Sequence, residues 1–129
     1  DSGVYSATAS QQPYQKLIEL AEHFINAGFS AIIDAAFLKY GQREPFEQLA
    51  KHLNAPYIIL EATAADDVLR QRIMERKNDV SDADLAVLEH QLSTWQTLHS
   101  NELVNTVSVQ TDQALDLNNL IHEIDSRRL

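Results

Sequence analysis

Arg72 and Arg76 stand four residues apart. On a helix that spacing puts both guanidiniums on one face, with Arg70 pointing elsewhere. Paired guanidiniums suit phosphate oxygens, which they meet through bidentate, charge-assisted hydrogen bonds. In phosphoryl transfer such a pair would screen the charge that develops on the moving group. The plainer reading is a solvated face pairing with Glu75, Asp79 or Asp82. Asp34 sits in a short apolar run, SAIIDAA. On the plain reading it is a strand-end carboxylate that caps a nearby loop. Lys39 and Arg43 form a second basic pair at helical spacing, and Thr111, Asp112 and Gln113 follow the last apolar run. The first pair reads plainly as surface charge, and the triplet as a helix cap.

Other chemistries lack their residues. There is no cysteine, so thiolate metal sites, thiol nucleophiles and disulfides are excluded. None of the five histidines has a partner at zinc-motif spacing. No serine lies in a Gly-x-Ser-x-Gly elbow. The only glycines are Gly3, Gly28 and Gly41, and no Gly-x-x-x-x-Gly-Lys-Ser/Thr occurs. A phosphate cradle of consecutive backbone N–H groups with its lysine is therefore missing from these residues. A net charge of −9 argues against a nucleic-acid-coating surface. The apolar runs are too short to span a bilayer and no signal peptide is visible, so a cytoplasmic protein without a membrane partner is expected.

The elements that must position these residues follow from periodicity. With 129 residues, 44% of them hydrophobic and 22% charged, one globular domain is expected over 1–129. Residues 1–12 read as an irregular lead-in. After Pro13, residues Tyr14, Leu17, Ile18, Ala21, Phe24 and Ile25 share a helical face that Gly28 ends. Ser30 to Ala36 reads as a buried strand, Arg43 to Leu53 as a helix stopped by Asn54, and Pro56 to Leu60 as a second strand. Capping boxes at Thr63/Asp66 and Ser81/Asp84 open two further helices. Leu85, Leu88, Leu92 and Trp95 form the core stripe of the second. Val104 to Val109 is a third strand, and Thr111 or Asp112 caps a last helix that turns Leu117, Leu120, Ile121 and Ile124 inward. Alternating strands and helices imply a mainly parallel sheet covered on both faces. Ligands bind such sheets at the carboxyl ends of the strands, which places Asp34, Glu61 and Thr111 near any site.

Two stretches, AGFSAIIDAAFLKYGQREPF and LRQRIMERKNDVSDADLAVLEHQL, resemble signatures of a P-loop kinase group. That group is similar to zeta toxins and polynucleotide kinases, and its members are often fused to aminoglycoside-phosphotransferase-like domains. The likeness runs from about Tyr5 to about Asp112. It implies a three-layer α/β fold with a mainly parallel sheet, incomplete here because the first strand, the P-loop and the second strand are absent. With the central strand missing, the strands around Ile32 and Ile58 are expected either to pair directly or to take a strand from another chain. The chain begins at Asp1 and its only methionine is Met74, so a piece of a longer product is expected.

The resemblance also implies roles. Asp34 would take a proton from a hydroxyl acceptor or orient water on Mg²⁺. Arg72 and Arg76 would act from a lid-like region at about 70–82. Lys39 and Arg43 would lie beside the acceptor, and Thr111, Asp112 and Gln113 under the adenine. The intact protein would then be a kinase for a small hydroxyl-bearing acceptor, using ATP and Mg²⁺. The 129-residue chain alone would be inactive, bind neither, and form a homodimer or exchange a strand. The alternative is a degenerate, non-catalytic module for interaction or assembly.

Overall fold

The computed structural model describes residues 7–76 and 82–127. They form two compact units that divide after Tyr57.

In the first unit α1 (Ala7–Asn26) packs against α2 (Tyr40–His52). The apolar face of α1 is the predicted one: Ala21 is buried, and Tyr14, Leu17, Ile18 and Ile25 are half-buried. Phe24 stays exposed. The helix starts ahead of Pro13, within the expected irregular lead-in. Proline's fixed φ is itself helical, but inside α1 Pro13 forfeits the bond to the Ala9 carbonyl and crowds that carbonyl with its ring. Gly28, at φ 93°, ends α1 as predicted. Its N–H reaches the Ile25 carbonyl at 3.0 Å, and the Phe29 N–H reaches that of Phe24 at 3.0 Å, the paired bonds of a left-handed helix stop. Asn54, at φ 53°, ends α2 in the same way, with Asn54 and Ala55 N–H groups on the Lys51 and Ala50 carbonyls. Phe46 and Ala50 supply the buried side of α2.

The predicted strand from Ser30 to Ala36 does not form, and Ile32 is 96% exposed. A strand exists only where a neighbour takes up its backbone N–H and C=O groups, and among the described residues none lies beside this segment. Direct pairing with the Ile58 region is likewise not found.

The second unit holds β1 (Ile59–Thr63), α3 (Asp66–Arg76), α4 (Asp82–Thr94), the single turn α5 (Ser100–Leu103), β2 (Thr106–Gln110) and α6 (Leu117–Arg127). The two strands pair in parallel, Ile59 opposite Thr106 through Thr63 opposite Gln110. This is the mixed α/β class with parallel strands that the pattern implies. Both strands begin later than predicted, the first because Pro56 has no N–H to give a ladder. Val107 and Leu88 are buried in the core. So is Glu102, 1% exposed, whose carboxylate accepts the His99 N–H at 2.9 Å and so caps α5. Trp95 is not core: it lies past the end of α4 and is 42% exposed. On α6 only Leu120 and Ile124 turn inward, while Leu117 and Ile121 stay exposed. The lid-like stretch is helical to Arg76; residues 77–81, with the Ser81 end of its capping box, lie outside the described residues. No helix among the described residues is long and apolar enough to cross a membrane.

α3 and α4 are tied by Arg70, whose Nε and Nη2 donate to the two carboxylate oxygens of Glu89, the second at 3.2 Å. This bond, and then the positive charge behind it, holds the Glu89 carboxyl below the usual glutamate range. A lowered folded-state pKa means that the pair contributes above the unfolded pKa and is lost as pH falls through the folded one. The Glu89 carboxyl carbon should therefore titrate below the ordinary glutamate midpoint, and Arg70→Ala should raise it; an unmoved midpoint would contradict the tie. Gly28 makes a separate prediction. A Cβ there meets nothing within 4 Å, so only backbone strain opposes it. Gly28→Ala should cost about 1 kcal/mol, read as a lower urea midpoint at unchanged m-value.

Candidate functional site

The carboxyl ends of β1 and β2 lie side by side, Thr63 opposite Gln110. The chain leaving β2 is bound back onto β1. The Thr111 N–H and hydroxyl both donate to the Thr63 carbonyl, at 2.7 and 3.0 Å, and the Thr63 hydroxyl donates to the Val109 carbonyl at 3.4 Å. The Gln113 N–H closes a turn on the Gln110 carbonyl at 3.3 Å. One residue past Thr111, an Asp112 carboxylate oxygen accepts the Ala65 N–H at 2.9 Å. Ala65 opens α3, its carbonyl taking the first helical bond from Leu69. A negative charge at that end also complements the helix dipole.

From two turns along α3, Arg72 reaches back to the same loop. Its Nη1 donates to the Thr111 hydroxyl and its Nη2 to the Thr111 carbonyl, each at 2.8 Å. Two fixed bonds pin the planar guanidinium in place. A guanidinium carries five N–H donors, so three of Arg72 remain for a ligand. The group is exposed, and its chemistry suits phosphate or carboxylate oxygens. Arg76 lies one turn further along α3 and is also exposed.

Three residues singled out in the sequence, Arg72, Thr111 and Asp112, thus meet at the strand ends, with Gln113 in the same turn. Two expectations are corrected there. Neither Thr111 nor Asp112 caps the last helix: Asp116 does, accepting the Asn119 N–H at 3.1 Å through its side chain and the Leu120 N–H at 3.0 Å through its carbonyl. The Thr63/Asp66 box gives way to the cap from Asp112, because Thr63 stays in β1 and Ala65 opens α3. Glu61 lies two residues inside the strand end and accepts the Ser108 hydroxyl at 3.1 Å.

The remaining candidates belong to the first unit. Asp34 is exposed in the irregular segment between α1 and α2. Lys39 is exposed too, as the extended residue that opens α2, and its N–H is taken by the Gln42 side chain at 3.1 Å. Arg43 departs from expectation. It is 4% exposed, and its Nη1 donates to the Phe37 carbonyl at 2.8 Å. Lys39 and Arg43 are therefore not a paired basic surface, and Arg43 serves the inside of the unit. Phe37 itself has a φ of 47°, a conformation that costs a bulky side chain on the order of 1–3 kcal/mol. Its N–H is held by the Tyr14 hydroxyl at 3.0 Å. Neither Tyr14 nor Phe37 stands out as functional in the sequence. The available signal is that a tyrosine on an apolar helix face needs a partner for its hydroxyl. The Thr63 carbonyl and Ala65 N–H carry no sequence signal, because any residue type supplies them.

Among the described residues no three His, Asp or Glu side chains gather to hold a metal ion. No curated protein and no solved structure matches the chain. A family model described as "AAA domain" matches residues 1–98. With that match across most of its length, the chain belongs to the AAA domain family, a kinase-like group of P-loop NTPases.

Proposed function

We propose that this chain is the acceptor-side and lid-side part of an ATP-dependent phosphotransferase acting on a small hydroxyl-bearing substrate. The observation that carries the reading is the Arg72–Thr111 clasp, which sets a guanidinium with free donors at the carboxyl ends of parallel strands. In α/β sheets that edge is where ligands bind. Family membership adds a kinase-like P-loop NTPase context. On this reading Arg72 and Arg76 neutralise charge on the transferring phosphoryl group, Asp34 takes the proton of the acceptor hydroxyl, and Lys39 lies beside the acceptor. Thr111, Asp112 and Gln113 border the nucleotide.

The residues present fit the transferring group better than the triphosphate. The sequence has no Gly-x-x-x-x-Gly-Lys-Ser/Thr, and no described cluster suits a metal held by protein alone. ATP and Mg²⁺ would need a phosphate cradle from residues other than these 129. Purified alone, the chain should show no ATP hydrolysis or phosphoryl transfer above buffer; turnover that disappears on Asp34→Asn would refute this. Reading the native gene upstream of the Asp1 codon tests the whole proposal. A cradle motif after an apolar strand supports it, and an initiator codon without one opposes it. In a protein that contains the cradle, Arg72→Ala should lower kcat by roughly 10²–10³-fold with folding intact.

A second reading, a non-catalytic interaction module, is favoured by one observation. Phe24, Phe29 and Ile32 line an open hollow, with Phe29 66% and Ile32 96% exposed. Exposed apolar clusters mark association surfaces. Sedimentation across rising concentration should then show self-association that Ile32→Asp removes; a monomer at every concentration would count against self-assembly.

A further inference from the structure

The left-handed backbone at Phe37 is held from three sides. Its N–H donates to the Tyr14 hydroxyl on α1 at 3.0 Å, and its carbonyl accepts from Arg43 Nη1 on α2 at 2.8 Å. Its ring lies 5.1 Å from that of Tyr14, tilted at 53°, and 5.1 Å from that of Phe46, edge-on at 90°. Glycine takes positive φ without strain, but it would leave the backbone there loose. A phenylalanine with φ 47° and both backbone polar groups bonded to side chains of two different helices gives the chain one fixed course at this point. Asp34 lies three residues ahead of it.

The geometry points to Tyr14 and Arg43 as positioning residues for Asp34. They lock the Phe37 backbone, and that anchor limits the directions in which residues 34–36 present the carboxylate. This rests on the reading of Asp34 as the group that receives the acceptor proton. Proton transfer needs heavy atoms within hydrogen-bond reach, so a carboxylate on an unfixed loop would spend most of its time misplaced. Arg43 thereby passes from substrate contact to loop support.

The test is backbone NMR on the whole 129-residue chain. In the unaltered protein the Phe37 amide should be protected from exchange, and order parameters at Asp34, Ala35 and Ala36 should be near 0.85, the rigid value. Tyr14→Phe keeps the ring and removes only the acceptor oxygen. It should speed exchange of the Phe37 amide at least tenfold and drop the order parameters of 34–36 below about 0.6, with the amides of Ala21 and Ala50 unchanged. Should Tyr14→Phe unfold the unit, Phe37→Gly supplies the second variant: it keeps positive φ, loses the ring, and should loosen 34–36 alike. Order at 34–36 that survives in the folded variant overturns the proposal. The reading of Asp34 fails separately. If Asp34→Asn leaves transfer intact in the cradle-containing protein, the carboxylate has no role in proton transfer, whatever Phe37 exchange shows.

Discussion

Two parallel strands cannot be joined by a hairpin, and most of the second unit follows from that constraint. The chain must return along the sheet before β2 can lie beside β1, and α3, α4 and α5 are that return. Both strands then end on the same edge, so the loops after Thr63 and Gln110 are neighbours although far apart in sequence. α3 starts from the first of these loops, which brings Arg72 within reach of the second. The Arg72–Thr111–Asp112 junction thus needs no special backbone. It is the point where the crossover between parallel strands delivers a helix start and a strand end together.

The first unit solves a different problem. Its connection from α1 to α2 has no strand to lean on, and it takes its shape from side chains. Tyr14, Arg43 and Phe46 converge on Phe37, and the strain of one backbone torsion is offset by two hydrogen bonds and two ring contacts. Such strain persists only where the surroundings over-determine it. Arg43 shows how this changes the meaning of a charge. Its guanidinium would suit an external anion, yet once buried it must have internal acceptors, and the Phe37 carbonyl is one.

Local signals were legible where the physics is local. Gly28 and Asn54 stop their helices because left-handed backbone depends on the residue itself. The apolar face of α1 and the parallel character of the sheet could be read from periodicity and alternation. What depended on distant partners was not legible. Ser30 to Ala36 has strand composition without a ladder. The Thr63/Asp66 pattern lost to a carboxylate from across the sheet, and Trp95 missed the core because α4 ends one residue before it. Arg72, Thr111 and Asp112 were each visible as chemistry. Their meeting was not, because it depends on which strand lies beside which.

The cap on α3 has a bearing on how the chain folds. The Asp112 carboxylate that receives the Ala65 N–H comes from 47 residues later in the sequence. Closing a loop of that length costs about 3 kcal/mol in chain entropy before any contact repays it. Unlike a helix capped by its own neighbours, α3 gains this cap only once β2 has docked, so that part of its stability arrives with the edge that it borders.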